Sequence, residues 1–133
     1  MDVRHSTTEG IGLFDINFDT GERYWSCEMR QILGIPSDTP AEFHLLLQHV
    51  HPEDRRAFGV IAMELFRPYC PKHKTSEFRI VQADGSVHWV HLERLAMFRA
   101  NTPHDVVRVL GFVVEISEPT EHQRAWQWVD IAA

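Results

Sequence analysis

Apolar residues alternate with polar ones in the first part of the chain, and this period of two is typical of a β-strand. The alternating apolar positions of residues 12–18 are Phe14, Ile16 and Phe18. An Asp-Thr-Gly turn then leads into a second strand over residues 22–26. Together the two strands predict a β-hairpin.

The next part of the chain has apolar residues three and four positions apart, which predicts helices. Ser26 is expected to cap a short helix that ends at Gly34. Residues 41–50 have the pattern of a second short helix. The longest helix is expected to open at Pro52, because proline suits the first helical position, and Asp54 is expected to cap it.

Three further strands are predicted, over residues 76–82, 87–99 and 105–117. A hairpin turn separates the first two, and residues 67–75 contain two prolines and are expected to be a loop. The last strand is apolar on both faces, so we expect it to be central or covered on both sides. The order of elements therefore predicts the α+β class with a five-stranded antiparallel sheet.

The composition fits one globular domain. The chain has 133 residues, of which 44% are hydrophobic, and a formal net charge of -6 at pH 7. A negative charge argues against a nucleic-acid partner and against a polybasic membrane anchor. No apolar run approaches the ~18 residues that span a bilayer, and residues 1–10 contain no signal-peptide core. Cys27 and Cys70 form no disulfide or metal motif, so a cytoplasmic location is expected.

Four sequence landmarks follow one another over residues 11–117. They are Asp19-Thr20-Gly21 with Tyr24-Trp25-Ser26, then Ile32-Leu33-Gly34, then Val50-His51-Pro52-Glu53-Asp54-Arg55, and last Glu77-Phe78-Arg79-Ile80 with Asp84-Gly85-Ser86-Val87-His88-Trp89-Val90 and Gly111-Phe112-Val113-Val114-Glu115-Ile116-Ser117. Each landmark alone is a weak signal. In this order and at these spacings the set resembles the PAS domains, specifically the PAS-3 subgroup with its C-terminal PAC half.

The resemblance implies a PAS-like sheet with short helices and one longer helix packed on one face, and a pocket between the two layers. It divides the chain into a lead-in (residues 1–10), a PAS/PAC sensory domain (residues 11–117) and a connector helix (residues 118–133). Such a domain binds a small molecule or a partner and relays its state through the C-terminal helix to an output domain in signal transduction. Outputs in the family include histidine kinases, diguanylate cyclases and DNA-binding regulators.

Strand alternation, aligned on the resemblance, points one set of residues toward the expected pocket. The expected ligand pocket consists of Ile32, Leu46, Phe58, Ile61, Phe78, Ile80, Val90, Leu92, Arg94, Val109 and Val113. A mostly apolar cavity with a few polar groups is the usual form of a small-molecule site. The alternative is that these residues only fill the core, because core packing alone would explain every apolar position.

Arg94 is the charged member of this set, and it stands where PAS domains commonly have a small residue. If its side chain points inward, the buried charge needs a partner. A ligand carboxylate or phosphate would suit the planar guanidinium. The alternatives are that its end reaches solvent at the sheet edge, or that it pairs with Glu93, Glu77 or Glu115.

The resemblance also bears on cofactors. In haem-binding PAS domains the iron ligand lies inside the long helix, and the matching residue here is Phe58, which cannot bind iron. Light-sensing LOV relatives need a cysteine in the segment before that helix, where residues 43–47 have none. Haem and a covalent flavin are therefore not expected, and non-covalent flavin stays open. His88 and His91 fall on opposite faces of a strand, so no metal site is expected.

An enzyme is the rival class. Asp15, His51 and Asp54 could form an acid–base set. No nucleophile motif or phosphate-binding loop accompanies them. We therefore expect no catalytic residues and interpret the chain as an input domain.

A third possibility is a dimerisation or protein-interaction module without a ligand. Trp89, Phe112, Val114 and Ile116 are expected on the sheet face away from the pocket, where they would form an apolar surface. That surface must be covered by the N-terminal segment, by the tail with its Trp126, or by a second copy of the chain. We expect a homodimer through this surface.

Overall fold

One five-stranded sheet forms a layer of the computed structural model, which describes residues 10–119. The strands are β1 (Ile11–Asn17), β2 (Arg23–Trp25), β3 (His73–Val81), β4 (Val87–Arg99) and β5 (Thr102–Ile116). Their spatial order is β2-β1-β5-β4-β3, and each neighbouring pair is antiparallel. The predicted α+β class with a five-stranded antiparallel sheet is confirmed.

The helices lie between β2 and β3 in the chain. They are α1 (Cys27–Leu33), α2 (Phe43–His49) and α3 (Arg55–Met63), followed by a 3₁₀ turn (Glu64–Phe66). The predicted ends of α1 are confirmed. The Ser26 hydroxyl accepts a hydrogen bond from the Met29 backbone N–H at 3.2 Å, and Gly34 ends the helix with a φ of 70°, a conformation that glycine adopts without strain.

The start of the longest helix differs from its prediction. Pro52 lies in a turn, and α3 begins only at Arg55. Asp54 precedes the helix but makes no side-chain capping bond. Its buried carboxylate instead accepts bonds from Arg79 in β3. The prediction that Asp54 caps the helix was therefore wrong, because a contact with the sheet holds this carboxylate.

Strand β3 begins earlier than expected. His73, Lys74 and Thr75 belong to it, although residues 67–75 were predicted as a loop. These three residues pair in register with Leu95, Arg94 and Glu93 of the long strand β4. Both prolines, at positions 68 and 71, lie before the first pair, so neither interrupts the ladder.

The predicted central position of the last strand is confirmed, since β5 pairs with β1 on one side and with β4 on the other. Along β4, Val90, Leu92 and Arg94 face the helices and are 0%, 9% and 5% exposed. The main core lies on this side of the sheet.

Two expectations lie outside the described residues. The lead-in (residues 1–10) lies outside the described residues except for Gly10, and the connector helix (residues 118–133) lies outside them except for Glu118 and Pro119, which are not helical. Within residues 10–119, no helix is long and apolar enough to cross a membrane.

Candidate functional site

A cavity of about 620 Å³ lies between the helices and the inner face of the sheet. This volume is within the range that holds a drug-sized molecule. Side chains from β1, β3, β4 and β5 form its floor, and side chains from α2, α3 and the 3₁₀ turn cover it. Most of the residues that line it are apolar.

The cavity brings together six of the eleven residues that were predicted for the pocket. These six are Leu46, Phe58, Ile61, Leu92, Arg94 and Val109. The other five pack in the core beside the cavity and do not line it. These five are Ile32, Phe78, Ile80, Val90 and Val113.

Sequence reasoning missed several lining residues. Among them are Phe14, Ile16, Phe18, Trp25, Phe43 and Phe66. For β1 the signal was present, because the alternation in residues 12–18 already places Phe14 and Ile16 on one face. For Phe66 no signal was available, since its position depends on the 3₁₀ turn after α3.

Arg94 lines the cavity and is almost completely buried, with 5% of its surface exposed. Its Nη1 donates to the Pro71 carbonyl oxygen at 3.1 Å, and its Nη2 lies 3.6 Å from the Cys70 sulfur. The side chain neither reaches solvent nor forms an ion pair with a carboxylate of residues 10–119. Its Nε–H has no hydrogen-bond partner in that part of the chain.

Ser76 and Lys74 lie beside Arg94 on the inner face of β3. The Ser76 hydroxyl is buried and, like Arg94 Nε, lacks a partner among the described residues. Lys74 pairs with Arg94 in the strand register, and its Nζ lies 3.6 Å from a carboxylate oxygen of Glu64. This end of the cavity therefore carries two cationic side chains, of which Lys74 is paired with the Glu64 carboxylate.

Another part of the cavity wall is aromatic. Phe58 of α3 stacks with Phe43 of α2 at a centroid distance of 6.0 Å and contacts Phe78 at 4.6 Å. Phe58 has no atom that can ligate iron, and no cysteine lines the cavity within residues 10–119. The imidazole that does line it, His44, is mostly exposed and lies 3.3 Å from Glu42. The lining does not fit an axially ligated haem or a cysteinyl flavin.

The other side of the sheet carries the residues that were predicted for a dimer surface. Phe112, Val114 and Ile116 are partly buried there. Trp89 is 9% exposed, and the Arg79 guanidinium lies 5.4 Å from its ring centroid. Exposed apolar side chains surround them, namely Ile11, Leu13, Leu95 and Met97. Trp126 lies outside the described residues.

A row of imidazoles and carboxylates crosses the same outer face. His91 contacts Glu77 at 2.9 Å and Glu93 at 3.2 Å. The hydrogen bond from His91 holds the pKa of Glu93 below its usual range. Within residues 10–119 no group of three His, Cys, Asp or Glu side chains is arranged to hold a metal ion.

The three residues of the candidate acid–base set each have a different partner. Asp15 forms an ion pair with Arg108, and Asp54 accepts bonds from Arg79. The His51 ring accepts a hydrogen bond from the Glu53 backbone N–H. The described structure does not assemble these side chains into one site.

Comparison with known proteins gives the family. The family model described as the PAS fold matches residues 22–113, which is most of the chain. The chain therefore belongs to the PAS-fold family, and the resemblance to the PAS-3 subgroup is confirmed.

The relatives of the chain are sensor proteins, and the chain matches a part of each. The chain is similar to a blue-light-activated histidine kinase of Brucella anthropi, with 28% identity over 81% of the chain and 21% of the kinase. It is similar to the sensor protein FixL of Bradyrhizobium diazoefficiens, with 39% identity over 35% of the chain and 9% of FixL. The chain thus spans about a fifth or less of these relatives.

The fold also matches solved structures. A sensory box histidine kinase/response regulator from Burkholderia thailandensis superposes with a TM-score of 0.63 at 21% identity, over 97% of this chain and 92% of that one. At this identity the likeness concerns the fold alone. Together with the family match, it identifies the chain as a PAS domain of the kind found in signalling proteins.

Proposed function

We propose that this PAS domain senses a small, mainly apolar molecule that binds in the cavity between sheet and helices. The observation that carries the proposal is the cavity itself, about 620 Å³ in volume and lined by aromatic and aliphatic side chains with a few buried polar groups. A core whose only role was packing would fill such a space with side chains. The domain acts in the cytoplasm as a regulatory input and catalyses no reaction itself.

Strand β5 is the element that would relay occupancy of the cavity. Val109 lines the cavity from the inner face of β5, while Phe112 and Val114 stand on its outer face. The strand ends at Ile116 and leads toward the predicted connector. A ligand that binds one arrangement of this strand more tightly shifts the population toward that arrangement, and the connector helix would report the shift to an output domain.

The first experiment combines native mass spectrometry of the freshly purified protein with a thermal-shift screen of small apolar molecules. We expect a bound mass, or a ligand that raises the melting temperature, since a ligand that binds only the folded state stabilises it. Ala62→Phe fills the cavity from α3 and should abolish binding. Ala57→Phe is the matched control, because Ala57 lies on the same helix outside the lining.

Either of two outcomes would contradict the proposal. One is that the wild-type protein binds no compound of the screen and carries no extra mass. The other is that Ala62→Phe, folded as judged by its circular dichroism, binds as tightly as Ala57→Phe. In both cases the cavity would not be a ligand site.

The second candidate function is dimerisation through the outer face of the sheet. The observation in its favour is that Leu13 of β1 and Leu95 and Met97 of β4 each expose 44–46% of their surface on this face. A second copy of the chain is the partner we propose, because its identical apolar face would cover these side chains. The two functions are compatible, since they use opposite faces of one sheet.

A further inference from the structure

We propose that the ligand of this cavity is an apolar monocarboxylate whose carboxylate binds between Arg94 and Ser76. This inference rests on the proposed function and adds the chemical class of the ligand. We call the place where these two side chains meet the carboxylate end of the cavity.

Two buried donors at this end lack partners among residues 10–119. Arg94 is 5% and Ser76 3% exposed, and both line the cavity. The Arg94 Nε–H and the Ser76 hydroxyl have no hydrogen-bond partner within residues 10–119. Leaving a buried donor unsatisfied costs roughly 1–3 kcal/mol, and more when the group is charged. A carboxylate would accept from both donors.

The strand register brings the two donors to the same place. Ser76 of β3 stands opposite Leu92 of β4, and Arg94 is two residues further along β4. The two are therefore diagonal neighbours on one face, at roughly 7 Å between backbones, which is within reach of a long side chain. One N–H group and one hydroxyl match the two oxygen atoms of a carboxylate.

The charges favour a monoanion over a phosphate. Arg94 and Lys74 stand opposite each other in the register and both line the cavity. Glu64 lies 3.6 Å from Lys74 and neutralises one of the two positive charges. The single remaining charge belongs to Arg94, whose other contacts are to a carbonyl oxygen and a sulfur atom. A carboxylate balances it, whereas a phosphate ester would leave excess negative charge.

The rest of the lining determines the body of the ligand. Leu92 and Val109 adjoin Arg94 on the sheet, and Phe14, Phe58 and Ile61 are further apolar members of the lining. These side chains offer no strong hydrogen-bonding groups, so they fit a hydrocarbon or aromatic body. A molecule such as an aryl carboxylate or a medium-chain fatty acid combines the two required parts.

The test uses matched pairs of probes that differ in charge but hardly in shape. The pairs are naphthalene-2-carboxylate with naphthalene-2-carboxamide, indole-3-acetate with indole-3-acetamide, and decanoate with decanamide. Calorimetric titration at neutral pH measures each dissociation constant on the wild-type chain. We expect at least one carboxylate to bind about tenfold or more tightly than its amide, because a hydrogen bond to a charged group is stronger than a neutral one.

Variants of the chain then test which side chains cause the preference for a carboxylate over its amide. Ser76→Ala should weaken binding of the preferred carboxylate about fivefold or more, and Arg94→Met should reduce the preference over the amide to about twofold or less. Arg56→Gln is the charge control, since Arg56 is exposed on α3 and does not line the cavity. Because Arg94 also contacts the Pro71 carbonyl, Arg94→Met could fail to fold, and Ser76→Ala then decides the question alone.

The failure of this inference is distinguishable from the failure of the proposed function. If the amides bind as tightly as the carboxylates, or if Ser76→Ala leaves the affinity for the preferred carboxylate unchanged, the cavity senses another class of ligand and the carboxylate assignment is overturned. If no probe of either series binds and no compound raises the melting temperature, the sensing function and the carboxylate assignment fail together.

Discussion

Asp54 is the residue whose role differs most from its sequence-based interpretation. A sequence with Pro-Glu-Asp before an apolar stripe predicts a helix start, but it contains no information about which strand will lie beside it. In the structure Asp54 is 1% exposed, and its carboxylate accepts from the backbone N–H of Arg79 at 2.9 Å and from the guanidinium at 3.0 and 2.8 Å. The hydrogen bond with Asp54 raises the pKa of Arg79 above its usual value. Asp54 therefore joins the start of α3 to β3.

The first prediction compares the two neighbouring carboxylates that touch Arg79. Asp54→Ala should lower the free energy of unfolding by about 3 kcal/mol, because it leaves a largely buried guanidinium without its main partner. Glu53→Ala is the matched control. Its carboxylate also contacts Arg79, at 3.2 Å, but is 74% exposed, so its loss should cost about 0.5 kcal/mol or less. Urea denaturation measures the free energy of unfolding of both variants. An equal loss in the two variants would contradict the bridging role of Asp54.

The second prediction concerns the pH dependence of the Asp15–Arg108 pair. Arg108 Nε donates to Asp15 at 2.9 Å, and this hydrogen bond holds the pKa of Asp15 below its usual value of about 3.9. A carboxylate with a lowered pKa stabilises the folded state above about pH 4, and this contribution is lost as the pH falls through the lowered pKa. In Arg108→Gln we expect the pKa of Asp15 to rise, because the hydrogen bond and the charge of Arg108 that lower it are lost.

The same variant should lower the free energy of unfolding at pH 7 by only about 0.5 kcal/mol, because both side chains are partly exposed. This difference should shrink as the pH falls through the lowered pKa of Asp15, because protonation removes the ion pair. Titration of the Asp15 carboxyl carbon by NMR measures the pKa directly. A pKa of Asp15 that is the same in wild type and Arg108→Gln would refute the assigned cause.

At the scale of elements, strands and caps could be predicted because local rules determine them. The ends of α1 follow from Ser26 and Gly34, and the alternation along β4 gives the inward positions of Leu92 and Arg94. The start of α3 could not be predicted, since a contact between distant parts of the chain outweighs the preference of Pro52 for a first helical turn. The early start of β3 likewise depends on its pairing with β4.

The third prediction uses one substitution at two glycines in different elements. In β5, a Cβ at Gly111 would lie 2.0 Å from the Glu93 carbonyl oxygen and 2.7 Å from the Phe14 ring. Gly111→Ala should therefore lower the free energy of unfolding by about 3 kcal/mol or more, because the backbone of a central sheet cannot move away. In α3, a Cβ at Gly59 would meet no atom within 4 Å. Gly59→Ala should raise the free energy of unfolding by about 0.5–1 kcal/mol through its helix propensity.

Thermal and urea denaturation of the two variants measure the contrast. The essential result is that the free energy of unfolding changes with opposite signs in the two variants, since both substitutions add the same methyl group. A Gly111→Ala protein as stable as wild type would show that β1, β5 and β4 do not approach as closely as described. A destabilised Gly59→Ala protein would show that α3 is packed on the side where the structure has open space.

At the scale of the whole molecule, the sequence could predict which face of the sheet holds the site but not where along that face it lies. The inward-facing residues Ile80 and Val90 cover one end, where Val50 forms an isolated β-bridge with Ile80 and closes the core. The cavity lies toward Leu92 and Arg94, below α3. That position depends on how the helices pack against the sheet, and no local sequence pattern determines this packing.

The fourth prediction concerns dimerisation through the outer face of the sheet. If the outer face forms a homodimer, Leu13→Asp and Met97→Asp should each shift the protein toward monomer, because a buried unpaired charge is costly in an interface. Tyr69→Asp is the control, since Tyr69 is 96% exposed in the loop before β3. Sedimentation velocity over a range of concentrations measures the dimer dissociation constant. A wild-type protein that stays monomeric would contradict the homodimer.

Thermodynamic linkage between the cavity and the outer face of the sheet would connect dimerisation to ligand sensing. Val109 faces the cavity, and its near neighbours on β5, Leu110 and Phe112, face outward. A ligand that shifts β5 should therefore change the dimer dissociation constant, and dimerisation must change ligand affinity by the same factor. Sedimentation with and without saturating ligand measures that factor. Dimerisation that is independent of the ligand would mean that the signal does not pass through the outer face of β5, and the strand's own path toward the connector would then be the remaining route.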